Sequence, residues 1–281
     1  MNKYLFSLVI CLVFCFSAIG QKKQSKAKLV HKPFSIGVVD DLKSKELGEQ
    51  RILNIYLPDG YQKSDTGKYP VIYLLDGSVN EDFVHIAGLV QFMNMIQAMP
   101  ASIIVGIANV DRKRDFTFPT SIAQDLKSYP TTGKSAKFIS FLEHELQPYI
   151  TKNYRTNGHK TIIGQSLGGL LATEVLVNKP HLFNDYIIVS PSLWWNDESL
   201  LADAKKLVNT KKYDSIRVVV SVGNEGKVME DDAATLVRIL KGTSSHWPKV
   251  IEVPQPGENH ATILHRAVYR ALEVLNAGEK K

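Results

Sequence analysis

Continuous apolar runs alternate with segments of helical periodicity along most of the chain. Seven apolar runs are predicted to be strands: Arg51–Pro58, Tyr69–Gly77, Ala101–Asn109, Lys160–Gly164, Asp185–Ser190, Ser215–Gly223 and Lys249–Gln255. Because most are continuous rather than alternating, they are typical of strands buried on both faces of a parallel sheet. Four segments carry apolar residues at helical spacing: Ala136–Ile150, Gly168–Asn178, Asp231–Leu240 and Ala261–Leu275. The alternation predicts an α/β fold with a doubly wound, mostly parallel sheet, helices on both faces, and an active site beyond the carboxyl ends of the strands.

The first 20 residues carry the pattern of a secretory signal peptide. Lys3 precedes the apolar stretch Tyr4–Ile19, which at about 16 residues is short against the roughly 20 that span a membrane. Small residues at Ala18 and Gly20 then predict cleavage after Gly20 and a secreted or periplasmic protein. A membrane anchor and lipoprotein processing at Cys15 are the alternatives.

The rest of the chain is predicted to be a flexible mature N-terminus at 21–32 followed by a single catalytic domain at 33–281. The hydrophobic fraction of 44% supports one large core, and no repeat or linker marks a second domain. Both cysteines, Cys11 and Cys15, lie in the signal peptide, so the mature chain has no disulfide or thiol chemistry.

Composition also bears on the expected partners and cofactors. The net charge of +6 is modest, and basic residues are not interleaved with aromatic residues on one face, so nucleic acid is not an expected partner. No stable membrane insertion is expected after signal cleavage. No cofactor or metal is predicted, because an HExxH motif is absent and Glu143–Glu145 cannot converge on one ion from a single helix face.

The sequence Gly164-Gln165-Ser166-Leu167-Gly168 fits the G-x-S-x-G pattern at a strand-to-helix junction. In this context the pattern predicts a nucleophile elbow, in which a strained turn pushes the Ser166 hydroxyl into the site. The N–H of Leu167 and the helix N-terminus can then stabilise an oxyanion. The alternative is that the glycines only allow a buried strand and a helix to pack closely.

A serine nucleophile requires a base, and the chain order expected in this fold is serine, acid, histidine. Of the eight histidines, His260 lies in the loop after the last predicted strand and just before the C-terminal helix. It is therefore the candidate base. The others precede the serine or lie in helices and turns away from a strand end.

The acid is expected after the strand that precedes the histidine strand. Glu225 follows that strand by three residues and is the first candidate. Asp231 and Asp232 are the second, although they also suit the first turn of a helix, and Asp197 is a distant fourth. The role of the acid, whichever residue supplies it, is to fix the imidazole tautomer and to stabilise the imidazolium.

These segments resemble the putative-esterase (esterase D-like) family of α/β-hydrolases over most of the mature chain, and within it the trilactone siderophore esterases. The resemblance is carried by YLLDG, VGIANVDRKRDFT, FISFLEHELQPYI, IIGQSLGGLLATEVL, YIIVSPSLWWN, VGNEGKVMEDDA and ENHATILHRA. It implies Ser166 as nucleophile, His260 as base and Glu225 as acid. It also implies that the loop at Gly77-Ser78 supplies a second oxyanion N–H beside that of Leu167. One departure is Gln165, where histidine is commoner.

Two further features have two interpretations each. Trp194 and Trp195 form either an aromatic wall for an acyl or aryl group or a packed loop. Arg112 either meets an anionic substrate or belongs, with Arg114 and Asp115, to a structural ion pair.

The sequence thus predicts a secreted serine hydrolase that cleaves carboxylic esters of a small molecule or glycan through an acyl-enzyme, with a trilactone siderophore as a candidate substrate. A feruloyl or acetyl esterase of carbohydrates and an acyltransferase are alternatives within enzymes. A catalytically silent binding protein on the same fold is the non-enzyme alternative, which intact candidate triad residues disfavour.

Overall fold

The computed structural model describes residues 31–63, 66–207, 213, 215–243 and 248–278. The predicted signal peptide and most of the predicted flexible segment lie outside the described residues. All described strands and helices belong to one unit, Ile36–Lys281, while residues 31–35 of the other unit form no regular element. The single-domain organisation stays a prediction. No described helix is long and apolar enough to cross a membrane.

The described part of the chain contains one eight-stranded sheet. Its strands are β1 Val38–Lys43, β2 Gln50–Tyr56, β3 Tyr69–Leu74, β4 Ile103–Ile107, β5 Thr156–Gln165, β6 Asp185–Val189, β7 Arg217–Ser221 and β8 Lys249–Glu252. They are ordered β1-β2-β4-β3-β5-β6-β7-β8. The β1–β2 and β2–β4 pairs are antiparallel, and every other pair is parallel. The predicted mostly parallel sheet is confirmed.

Helices cover both faces of the sheet. They are α1 Phe83–Met95, α2 Arg112–Phe116, α3 Ala123–Ser128, α4 Ser135–Phe141, α5 Gln147–Asn153, α6 Leu167–Asn178, α7 Trp195–Leu207, α8 Lys227–Lys241 and α9 Ile263–Asn276. A π-helical turn, Leu142–Leu146, joins α4 to α5. Buried residues of α1 and α9 pack in one apolar cluster, whereas those of α4, α6 and α8 pack in a second on the other face.

The apolar pattern did not predict β1 or the helices α1, α2, α3 and α7. β1, with the sequence VVDDLK, is a largely exposed edge strand that pairs only with β2 among the described strands, so it has no continuous apolar run. α1 has apolar residues on its exposed side as well as its buried side, including Val84, Phe92 and Met95. Its helical period is therefore obscured.

The parallel strands place their following loops at one edge of the sheet. The residues after β3, β5, β7 and β8 carry Asp76, Ser166, Glu225 and His260 respectively. Because parallel strands end at the same edge, these four loops can meet there, although 184 positions separate the first residue from the last.

Candidate active site

Ser166 lies on a strained turn between β5 and α6. Its backbone has φ 59° and ψ −120°, a conformation that costs a non-glycine residue roughly 1–3 kcal/mol. The Ser166 N–H donates to the Val189 carbonyl at 3.1 Å, and the Ser192 N–H donates to the Ser166 carbonyl at 3.0 Å. A Cβ on Gly164 would stand 2.3 Å from the Gly168 carbonyl oxygen. The glycines are thus required for close packing, and that packing holds the serine in its strained turn.

The structure brings His260 and Glu225 together. His260 Nδ1 lies 2.5 Å from Glu225 Oε2. The Glu225 side chain is 1% exposed, whereas the His260 side chain is 47% exposed. A carboxylate on Nδ1 holds the imidazole in the tautomer that leaves Nε2 free to accept a proton.

Glu225 is held by groups that the sequence did not reveal. Its Oε1 accepts hydrogen bonds from the Ser190 hydroxyl and, at 3.0 Å, from the Gly223 N–H. Glu230 Oε1 in turn accepts from the N–H groups of Glu225 and Gly226, at 3.0 Å each. Ser190 directly follows β6, and β6 pairs with β7, whose following loop carries Glu225. The expected adjacency of these two strands could therefore have predicted that Ser190 lies near Glu225.

The other candidate acids do not contact His260. Asp231 pairs with Lys227 on the exposed side of α8. Asp232 is buried, and burial together with the charges of Glu198 and Asp231 raises its pKa to about 6. Asp197 is exposed in a left-handed turn of three residues within α7.

The Ser166 hydroxyl points toward a different partner from the one that catalysis requires. Its Oγ lies 3.3 Å from Ser192 Oγ, and no hydrogen bond joins it to His260 among the described residues. Both Ser166 and His260 nevertheless line one cavity of about 880 Å³. Catalytic hydrogen bonds are often loose in a free enzyme and tighten when substrate binds.

The two predicted oxyanion donors of the Gly77-Ser78 loop differ in availability. The Gly77 N–H already donates to the Ile107 carbonyl at 3.0 Å, and a Cβ at Gly77 would stand 2.4 Å from Gly106 Cα. This corrects the assignment of Gly77, whose role is close packing. Among the described residues the Ser78 N–H donates to Glu81 Oε2 alone, at 3.3 Å, and Leu167 is the first residue of α6. Ser78 and Leu167 remain the candidate donors.

Trp194 and Trp195 have separate surroundings. Trp194 is half-buried and lines the cavity, with its ring 6.1 Å from that of Tyr129. Trp195 is fully buried and donates from Nε1 to the Phe118 carbonyl at 2.9 Å, so it anchors the loop and is not a substrate-binding residue. Lys113, which the sequence analysis did not single out by itself, also lines the cavity, with Nζ 4.9 Å above the Tyr129 ring.

Arg112 lines the cavity but is largely committed to other groups. Its Nε and Nη2 donate to the two carboxylate oxygens of Asp76 at 2.6 and 2.9 Å. Nη2 also donates to the Gln165 carbonyl at 3.2 Å. Of the structural ion pair that was one of the two interpretations, the Arg114–Asp115 contact is present, and Asp115 also pairs with Arg51, whereas Arg112 pairs with Asp76. Arg112 Nη1 has no hydrogen-bond partner among the described residues.

A recess of about 390 Å³, which Lys113 does not line, adjoins the nucleophile. It is lined by three acidic residues, Asp76, Glu81 and Asp82, and by Arg112, which pairs with Asp76, so it is called the acidic recess; Ser166 and His260 also line it. Burial and the neighbouring carboxylates of Asp76 and Glu81 raise the pKa of Asp82 to about 6. In the part of the chain that the structure describes, no group of three or more histidine, cysteine or acidic residues could hold a metal ion.

The sequence profile of the family described as "Putative esterase" matches residues 44–261. The chain belongs to this family. The ferri-bacillibactin esterase BesA of Bacillus subtilis (strain 168) is 32% identical over 248 residues, covering 80% of this chain and 84% of that protein. The siderophore triacetylfusarinine C esterase of Aspergillus fumigatus is 27% identical over 263 residues, covering 80% and 88%.

A solved structure supports the same assignment. The IroE-like serine hydrolase of Shewanella oneidensis is 29% identical, with a TM-score of 0.78 over 87% of this chain and 81% of that chain. The predicted family and the predicted α/β-hydrolase fold are confirmed. This member of the esterase family is a carboxylic ester hydrolase, so the catalytically silent alternative is not retained.

Proposed function

We propose that the chain hydrolyses carboxylic esters with Ser166 as nucleophile, His260 as base and Glu225 as acid, through an acyl-enzyme. The observation that carries the proposal is the 2.5 Å contact between His260 Nδ1 and Glu225 Oε2, made in a cavity that the strained Ser166 also lines. Asp231 pairs with Lys227, and no hydrogen bond of Asp232 or Asp197 with His260 is seen among the described residues.

The geometry supports a two-step reaction. Ser166 Oγ rotates from Ser192 toward His260 and adds to the ester carbonyl carbon while His260 Nε2 takes its proton. The oxyanion accepts hydrogen bonds from the N–H groups of Leu167 and Ser78. When the C–O bond breaks, the leaving alkoxide takes the proton from His260. Water then adds to the acyl-enzyme with its proton passing to His260, and Ser166 leaves with that proton.

For the substrate, we favour an aryl-bearing, anionic siderophore ester of the trilactone type. Trp194 and Tyr129 offer aromatic faces, and Lys113 supplies a cation beside them. The acidic recess, which Lys113 does not line, disfavours an anionic group, so we place the anionic portion of the substrate beside Lys113 in the larger cavity. The two relatives described above are named as siderophore esterases, which agrees with this choice.

The same aromatic wall also suits a feruloyl ester of a carbohydrate, so this second candidate is kept as an outcome of the test. The purified protein is assayed with a ferric catecholate trilactone, methyl ferulate, an acetylated xylan and p-nitrophenyl butyrate. We expect kcat/KM to be highest for the trilactone. A preference for ferulate or acetylxylan would replace the siderophore assignment, and an ester product formed with added alcohol would indicate acyl transfer.

The catalytic assignment is tested separately with a fluorophosphonate. Mass spectrometry of a digest is expected to find the phosphonyl adduct on Ser166 in the native protein and in the control Ser192→Ala, and nowhere in Ser166→Ala. An adduct on another residue would contradict the assignment of Ser166.

We also propose export, because the pattern of residues 1–20 is that of a signal peptide. Protein recovered from its native host is expected to begin at Gln21 by intact-mass measurement. An intact Met1 in the membrane fraction would replace export by anchoring.

A further inference from the structure

Gln165, the last residue of β5, connects the nucleophile strand to the histidine loop. Its Nε2 donates to the His260 backbone carbonyl at 2.5 Å, across 95 positions of the chain. A carbonyl oxygen only accepts, so the NH₂ group of the amide must face it and the oxygen cannot take its place. The hydrogen bond therefore requires a donor at the end of this side chain.

The backbone of Gln165 is tied to a third loop. Its carbonyl accepts from Arg112 Nη2 at 3.2 Å, and the same guanidinium holds both oxygens of Asp76. Asn109 Nδ2 also donates to Asp76 Oδ1 at 2.7 Å. Asp76 precedes the Gly77-Ser78 loop, so these bonds join the loops that follow β3, β5 and β8.

Apart from Gln165, the bonds of the His260 loop are either local or lead to the β7 side, where the Asn224 N–H donates to the Glu258 carbonyl at 2.8 Å. The Asn259 N–H donates to Thr262 Oγ1, and the Ala261 N–H donates to Asn259 Oδ1. None of these bonds reaches β5, which Ser166 directly follows. Glu225 holds the imidazole at Nδ1 from the β7 side, and Gln165 holds the backbone from the β5 side.

We propose that Gln165 is a positioning residue that sets the distance between His260 and Ser166 through its hydrogen bond to the His260 carbonyl. It does not touch the reacting atoms and acts through the placement of the base. This inference rests on the proposed serine–histidine mechanism. A displacement of about 1 Å in a catalytic group can cost roughly a hundredfold in rate, so loss of this bond is expected to lower kcat while KM changes little.

The test compares variants of the full-length protein on p-nitrophenyl butyrate. Gln165→Met keeps the length of the side chain and removes the donor; Gln165→Asn keeps the amide but is one methylene too short to reach. Both are expected to lower kcat roughly ten- to hundredfold with KM within about threefold of the native value. Gln165→His restores a ring N–H donor and is expected to stay within about fivefold in kcat.

Gln255→Met is the matched control. Gln255 lies just after β8 at the same edge of the sheet, and no hydrogen bond of its side chain is seen among the described residues. It is expected to retain native kcat. Thermal unfolding of each variant separates a general loss of fold from misplacement of His260. If one variant does not fold, the other still decides the question.

Native kcat in both Gln165→Met and Gln165→Asn would overturn the inference, as would an equal loss in Gln165→His, since the shape of the side chain rather than its donor would then matter. Ser166→Ala distinguishes this failure from failure of the mechanism. An inactive Ser166→Ala beside an unaffected Gln165→Met removes only the role of Gln165. An active Ser166→Ala removes the mechanism and the inference together.

Discussion

Two carboxylate–histidine pairs occupy opposite ends of the same sheet. At the carboxyl end, Glu225 Oε2 lies 2.5 Å from His260 Nδ1. At the amino end, Asp185 Oδ2 lies 2.7 Å from His159 Nε2. In both pairs the carboxylate is nearly inaccessible, with side-chain exposures of 1% and 4%, and the histidine is partly exposed.

The pairs differ in what else the carboxylate holds. Arg217 donates to both oxygens of Asp185, at 2.6 and 2.7 Å, and also to the Leu275 carbonyl, which ties β6 and β7 to α9. The nearby hydroxyl of Thr161 is buried and directed at Asp185 itself. Glu225 instead accepts only from uncharged groups apart from His260, and a strained serine shares its cavity. A carboxylate–histidine pair therefore becomes a candidate site only when a nucleophile is presented to it.

The largest expected difference between the two ends of the sheet is in how much the rate of ester hydrolysis depends on the hydroxyl at each end, that of Ser166 or that of Thr161. Ser166→Ala is expected to lower ester hydrolysis roughly 10³- to 10⁶-fold in a folded protein, the scale seen when a triad nucleophile is removed. Thr161→Val, the matched change at the amino end, is expected to leave kcat within about threefold. Initial rates on p-nitrophenyl butyrate measure both. If Ser166→Ala retained a tenth of native turnover, the glycine-rich turn would serve packing alone.

The second largest expected difference is in how much kcat depends on each carboxylate. Glu225→Gln is expected to reduce kcat roughly tenfold to ten-thousandfold, because the imidazole loses its orienting partner. Asp185→Asn, Asp231→Asn and Asp232→Asn are each expected to cost less than about threefold in kcat at a temperature where they stay folded. A large loss from Asp231→Asn or Asp232→Asn beside a near-native Glu225→Gln would show that the acid is misassigned. A mild Glu225→Gln effect alone would indicate a serine–histidine dyad.

For the free energy of unfolding, in contrast to kcat, the change at Asp185 is expected to have a larger effect than the change at Glu225. Burial alone would raise the pKa of Asp185, but hydrogen bonds from His159 and Arg217 outweigh it and hold that pKa below its ordinary 3.8. The pair therefore stabilises the fold above pH 3.8, and this contribution is lost as pH falls through the lower folded pKa. Asp185→Asn is expected to reduce the free energy of unfolding by about 3 kcal/mol at pH 7, and by progressively less below pH 3.8, in urea titrations. An equal loss of unfolding free energy at pH 7 and at a pH below 3.8 would contradict this account.

A third carboxylate, Glu174 on α6, sharpens the contrast because no histidine or arginine pairs with it among the described residues. Burial raises its pKa from 4.5 to about 7, and the nearby Ser135 hydroxyl offsets this only in part. Between pH 4.5 and 7 the unfolded chain ionises while the folded chain stays neutral, so stability falls as pH rises through this window. Glu174→Gln is expected to stabilise the protein by roughly 1–3 kcal/mol at pH 8 and hardly at all at pH 4. If urea titrations gave the same difference in unfolding free energy between Glu174→Gln and the native protein at pH 8 and at pH 4, the raised pKa of Glu174 would be contradicted.

Local patterns were sufficient to predict the strands and helices that flank Ser166 and His260. The run before Ser166, the glycines beside it and the helix after it belong to one short segment, so its strand–turn–helix form depends on nearby residues. Ser166, Glu225 and His260 follow three predicted parallel strands, β5, β7 and β8, in the chain order expected for this fold. β1 and α1 were missed because an edge strand has no continuous apolar run, and α1 carries apolar residues on both sides.

By itself, the sequence determined the α/β pattern, the nucleophile candidate, and the loops in which a base and an acid should lie. Only the tertiary structure decided that Glu225 rather than Asp231 meets His260, that Trp195 is buried while Trp194 lines the cavity, and that Gln165 reaches the His260 carbonyl. These contacts join residues far apart in the chain. They depend on the directions in which folded strand ends present their side chains, which the order and polarity of the residues do not specify.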